Sequence, residues 1–248
     1  ETAEAYFRQA LDRQSAILDP GHPEIAETRV RLGALLYDRQ AFDAAADELR
    51  RARADQLAAF GPSHPALANT LNNLALALVE TGRFNEAEAS FADALSINLA
   101  VHGERHSKTA GNLANLGWMK LEQDRPNEAL PLLDQALSIQ QSIFSGNHPQ
   151  LSYTLHHLGR AALMTGDTEA AVARLSRALE MRRSLYEPDH PLLADTLLMI
   201  GRSHWRDGEP EAARTAWEEA RAIRLERFGE ADPRTREVDR WLDGLPTR

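Results

Sequence analysis

The stretch HPALANTLNNLALALVETGRFNEAEASFADALSI, from His64 to Ile97, decides the fold. In its second half Ala87, Phe91 and Ala94 run small, large, small at spacings of four and three, the buried stripe of an amphipathic helix. In its first half Leu74 is followed by the small residue Ala75, and Gly82 separates the halves. Moving outward by 42 residues in either direction reproduces these features without a gap. Ala87 belongs to the column Ala3, Ala45, Ala87, Ala129, Ala171, Ala213, and Ala94 to Ala10, Ala52, Ala94, Ala136, Ala178, Ala220. Alanine makes up 40 of the 248 residues, too few for composition to produce two such columns in one register.

Between the alanines runs a bulky column: Phe7, Leu49, Phe91, Leu133, Leu175, Trp217. In the preceding half of each unit Leu32, Leu74, Leu116, Leu158, Ile200 and Leu242 align, followed by Gly33, Ala75, Gly117, Gly159 and Gly201. A glycine in mid-helix costs helix propensity, and its recurrence predicts the close passage of another helix backbone. His22, His64, His106, His148, His190 and finally Asp232 open the units. A proline after most of them suits a first helical turn, with the preceding residue near the N-cap. Gly82, Gly166 and Gly208 close the first helix of their units, with Gln40 and Asp124 in their place elsewhere. The pattern predicts helix A over about 23–39 and helix B over about 42–60, repeated every 42 residues, with no sheet.

The chain therefore reads as one all-α solenoid of about twelve helices: a half repeat over 1–21, full repeats over 22–63, 64–105, 106–147, 148–189 and 190–231, and a capping helix with its tail over 232–248. In the cap, Val238, Trp241 and Leu242 form one apolar stripe on an otherwise polar helix, and Gly244 and Pro246 stop it. The opening at Glu1 without a methionine, on half a repeat, points to a segment excised from a longer chain.

Composition narrows the function. A net charge of −9 lacks the basic footprint of a nucleic-acid binder. No apolar run approaches the roughly 20 residues that span a bilayer. Zero cysteines exclude disulfides, thiolate zinc sites and a cysteine nucleophile but leave the compartment open between cytoplasm, the favoured one, and an exported domain.

Leucine and a small residue in helix A, followed by alanine, a bulky residue and alanine in helix B, resemble the tetratricopeptide repeat, in the 42-residue form typified by kinesin light chain and also found in bacterial multidomain proteins. The resemblance covers the whole chain. It departs at Ser107 for proline, Asp124 for glycine, Arg53 and Asp55 for apolar residues, and Pro131 inside a helix B, where local irregularity is expected. It implies a right-handed superhelix with the A helices lining a concave groove that binds a peptide or protein segment and carries out no catalysis.

Helix A positions that pack on neither helix B nor the next unit should face this groove: Asn69, Asn72, Asn73, Leu76, Asn115, Trp118, Tyr153, His156, His157, Arg160, Met199, Arg202 and Arg206. The resemblance gives Asn72, Asn73 and Asn115 the task of hydrogen bonding a peptide backbone, for which an amide has both donor and acceptor. The later columns turn aromatic and basic, so that end is expected to anchor an acidic residue or a free carboxylate of the ligand. Glu27, Asp38, Glu80, Glu122 and Asp195 are available to pair with the arginines and weaken that expectation.

Nine histidines raise the question of metal. Five belong to the repeat-opening column, His102 and His106 straddle a loop, and the adjacent His156 and His157 point apart on a helix. No glycine-rich phosphate loop or nucleophile elbow is present. No metal, cofactor or catalytic residue is expected. The leading reading is a peptide-binding scaffold; the alternatives are the sensor arm of a larger signalling enzyme, such as a bacterial Ser/Thr kinase, and end-to-end self-association through the open first helix.

Overall fold

The computed structural model describes residues 2–246, and among them all regular structure is helical. The class is an all-α repeat solenoid of twelve helices. Packing divides it into two compact units, Glu1–Gln123 and Asp124–Arg248. The first holds α1 (Thr2–Ile17), α2 (Pro23–Asp38), α3 (Phe42–Phe60), α4 (Pro65–Glu80), α5 (Phe84–His102) and α6 (Ser107–Glu122). The second holds α7 (Pro126–Ile143), α8 (Pro149–Thr165), α9 (Thr168–Leu185), α10 (Pro191–Arg206), α11 (Pro210–Phe228) and α12 (Pro233–Asp243). Within each unit every helix packs on its sequence neighbour. A helices also touch A helices: α2 meets α4 and α4 meets α6 in the first unit, and α8 meets α10 in the second.

The repeat columns are the core. Ala45, Ala52, Leu49, Ala87, Ala94 and Phe91 are fully buried in the first unit, and their counterparts Ala171, Ala178, Leu175, Ala213, Ala220 and Trp217 in the second are buried to the same extent. The glycine column is filled chiefly by a side chain of the next helix, and at Gly159 its backbone also comes close, with the Ala171 carbonyl 3.2 Å from where a Cβ would stand. A Cβ on Gly33 would meet Leu49 Cγ at 2.6 Å, one on Gly159 would meet Leu175 Cγ at 2.5 Å, and one on Gly201 would run into the Trp217 indole. The bulky B-helix side chain occupies the space, so the small and large columns are one steric device.

The opening histidines are true N-caps. His22, His64, His106, His148 and His190 each accept, through Nδ1, the backbone N–H two residues on, at 3.2–3.3 Å. The ring also stacks on the residue four before it: Phe60 on His64, His102 on His106, Phe144 on His148 and Tyr186 on His190, with centroids 3.5–4.4 Å apart. His102 thus stands where other repeats carry an aromatic ring. Asp232 caps α12 by the same bond, and Arg234 lies over Phe228 at 3.4 Å.

The departures are absorbed locally. Gln40 and Asp124 take left-handed φ angles of 61° and 57°, as their glycine equivalents do. Asp55 is paired with Arg29 at 3.0 Å. Helix α7 runs unbroken through Pro131, whose side is exposed. Helix α12 buries Val238 and lays Trp241 and Leu242 on the core around Trp217.

Candidate ligand-binding face

In the first unit the faces of α2, α4 and α6 that touch one another carry the asparagines. Asn72 and Asn115 are half-buried, Asn73 is half-buried and Asn69 is exposed. Asn72 Oδ1 accepts from Asn112 Nδ2 at 3.0 Å and from Asn115 Nδ2 at 2.9 Å. Asn112, buried behind them, also accepts from Asn98 Nδ2 on α5. The chain of amides runs from helix B to the A-helix face and fixes the outer two. It leaves the Asn72 Nδ2 donor and the Asn115 Oδ1 acceptor without a hydrogen-bond partner among the described residues.

Two cavities flank these residues between α2 and α4. One, of about 320 Å³, is lined by Val30, Phe60, His64, Asn69 and Thr70 among others. The other, of about 260 Å³, is lined by Ala34, Tyr37, Asp38, Leu49, Asn73 and Leu76. Tyr37 donates to a Glu80 carboxylate oxygen at 3.3 Å. Burial and the carboxylates of Glu80 and Asp38 push the Tyr37 phenol above its usual range, so it stays a donor. Trp118 on α6 is half-buried.

In the second unit α8 presents Tyr153, His156 and Arg160 half-buried and His157 buried. Behind them Arg182 of α9 is only 2% exposed. It donates through Nη1 to the Leu192 carbonyl at 2.8 Å and to Thr196 Oγ1 at 2.5 Å, and lies 3.4 Å from His156 Nδ1. A guanidinium has no acceptor, so the facing Nδ1 must be bare and the proton sits on Nε2. Burial, followed by the charges of His157, Arg182 and Arg160, keeps His156 neutral well below the usual imidazole range. Burial and the two arginines bring His157 down to about 3. Burial lowers Arg182 to about 10, leaving it charged near neutrality. The positive charge of this face therefore comes from arginines and its histidines act as neutral rings.

Helix α10 places Met199 half-buried against the core and Arg202 and Arg206 exposed. Arg206 reaches the Leu163 carbonyl at 2.7 Å, satisfying the C-terminus of α8, and Arg202 lies over the Trp241 ring at 5.4 Å. Glu27 pairs with Arg31, and Asp195 with Arg224.

The residues behind both faces escaped the sequence reading. Gln56, Asn98, Gln140, Arg182 and Arg224 are buried polar side chains at one position of successive B helices. Fourteen residues on stand Thr70, Asn112, Thr154 and Thr196, also buried. The signal lay in the sequence as a period-42 polar column inside an apolar stripe. Among the described residues no group of three His, Asp or Glu side chains could hold a metal ion, and no helix is long and apolar enough to cross a membrane.

A family model described as tetratricopeptide repeat matches residues 32–100, 66–142, 109–184 and 170–226, and a second of the same description matches 1–62. No curated protein matches the chain. Among solved structures it is similar to BtubC (BKLC) from P. vanneervenii, 21% identical over 92% of both chains, with a TM-score of 0.72. It is similar to a putative kinesin light chain from Podosopora anserina, 21% identical over 84% of this chain and 99% of that one, TM-score 0.67. It also resembles the Rap conjugation gene regulator of plasmid pLS20, solved with the Phr* peptide, at 15% identity over 88% of this chain and 56% of that one, TM-score 0.69.

Proposed function

Because the chain belongs to the tetratricopeptide repeat family, we propose that it is a non-catalytic scaffold whose A helices hold an extended segment of a partner protein. The observation that carries this is the amide chain of the first unit. Asn98 and Asn112 hold Asn72, and Asn72 holds Asn115, which leaves the Asn72 Nδ2 donor and the Asn115 Oδ1 acceptor for a ligand. An extended peptide offers a complementary carbonyl and N–H at every residue, whatever its side chains. Fixing the amides beforehand lowers the ordering cost of binding. Asn73 and Leu76 line the adjoining cavity between α2 and α4, and a fold relative has been solved with a peptide.

In the second unit the arginines favour a carboxylate of the ligand, either an acidic side chain or a chain terminus. Arg160, half-buried on α8, and Arg202, exposed on α10, are the residues proposed for that contact. His156 contributes its Nε2–H as a neutral donor.

A displayed random-peptide library, selected on the whole chain, tests the reading. Peptides selected on the wild type should bind Asn72→Ala/Asn115→Ala at least tenfold more weakly. Equal binding to that variant places the ligand elsewhere.

A further inference from the structure

The cavity between α2 and α4 that Ala34, Tyr37, Asp38, Leu49, Asn73 and Leu76 line has a chemistry of its own, with a volume of about 260 Å³. It exists because Ala34 is the smallest member of its column, where the following repeats carry Leu76, Trp118, Arg160 and Arg202. Its floor is hydrocarbon: Ala34, Leu76 and the fully buried Leu49. Its polar lining is the Asn73 amide, the Tyr37 hydroxyl and the Asp38 carboxylate. Asp38 lines it directly, and Tyr37 uses its one hydroxyl proton on Glu80. Asp38 and Glu80 are the last residues of α2 and α4, so two helix C-termini, the negative ends of their dipoles, converge there. Neither carboxylate has an ion-pair partner among the described residues, while the neighbouring Glu4, Glu27, Glu48 and Glu86 are each paired with an arginine.

We infer that this cavity receives the side chain of a lysine or arginine of the partner segment, its methylene stem on Ala34, Leu49 and Leu76 and its charged end at Asp38 and Glu80. The inference rests on the A-helix face being the ligand-binding surface, and it adds a specificity that the asparagines, which read only backbone, do not provide. A long aliphatic cation suits such a cavity because its stem packs on apolar surface while its head keeps polar contacts. An acidic side chain would meet two carboxylates, and a short or aromatic one would leave them unpaired.

The test is a titration of the methyl-labelled whole chain, followed by NMR, with N-acetyl-lysine methylamide and its uncharged analogue N-acetyl-norleucine methylamide. The lysine compound should shift the methyls of Ala34, Leu49 and Leu76 with an affinity about fivefold or more above the norleucine compound, the range expected of two exposed ion pairs. Asp38→Asn/Glu80→Gln should erase that preference, and Ala34→Met, which fills the cavity from an exposed position, should remove the shifts of both. Equal affinity for the two probes, no shift at these methyls, or a preference that survives the charge removal overturns the inference. The asparagine reading is tested separately, since Asn72→Ala/Asn115→Ala should weaken long peptides and leave these shifts in place.

Discussion

Trp217 fills the space that a β-carbon on Gly201 would need, and its indole N–H donates to the Leu198 carbonyl of the same neighbouring helix at 3.2 Å. The pair fixes α10 against α11 through one close contact and one hydrogen bond. Gly201→Ala should therefore destabilise the chain by about 1–3 kcal/mol through overpacking. Gly33→Ala should cost less, because the aliphatic Leu49 can rotate where a fused ring cannot. Urea denaturation of the two variants gives the comparison, and the reverse order would show that the ring is not the rigid partner.

The capping histidines combine two roles that can be separated. His148 caps α8 and stacks on Phe144 at 3.5 Å. His148→Ala should cost about 1 kcal/mol or more from the lost cap. His148→Asp, the arrangement found naturally at Asp232, should restore the cap and recover most of that loss. If both variants unfold alike, stacking rather than capping dominates.

Burial of His157 makes stability depend on pH in a stated direction. In the folded chain its pKa is about 3, whereas unfolded it titrates near 6.5. Below about pH 6.5 the unfolded chain takes up a proton that the folded chain refuses, so stability is full above that value and falls as pH drops toward 3. His156, also depressed, acts in the same sense. Their imidazole signals should show no titration between pH 8 and 5 in the folded protein, and His157→Gln should flatten the acid limb of the stability curve.

Arg182 controls the tautomer of His156. Replacing it by methionine removes the Nη1 donor opposite Nδ1, which now lies 3.4 Å away, along with one nearby positive charge. The imidazole ¹⁵N shifts of His156 should move away from the pure Nε2–H pattern, and its pKa should rise. Arg182→Gln, the residue at the same position in the preceding repeat, should be the better tolerated of the two. Unchanged ¹⁵N shifts in Arg182→Met would show that Thr196 alone sets the tautomer.

The period and its columns made the helix pairs, the caps and the core legible, because each depends on local chemistry that repeats in register. His64 and Ala87 announce themselves in this way. The partner of a glycine was not legible: Gly201 and Trp217 stand sixteen residues apart on different helices, and only the fold shows which side chain fills the gap. The charge state of the aromatic end escaped for a related reason. His156 and His157 count as basic in a sequence, and their neutrality follows from burial beside Arg182, a contact across helices. The bond from Arg206 to the Leu163 carbonyl, forty-three residues away on α8, was not legible for the same reason.

The central claim is that Asn72 and Asn115 read the backbone of a bound segment, and N-methylation tests it without altering any ligand side chain. A selected peptide, methylated at one backbone nitrogen at a time, is titrated calorimetrically into the wild type and into Asn72→Ala/Asn115→Ala. One or two methylations should weaken wild-type binding about tenfold or more, near 1.4 kcal/mol, and the same positions should have little further effect in the variant. Methylation tolerated throughout, or an equal loss in both proteins, would contradict backbone reading by this pair.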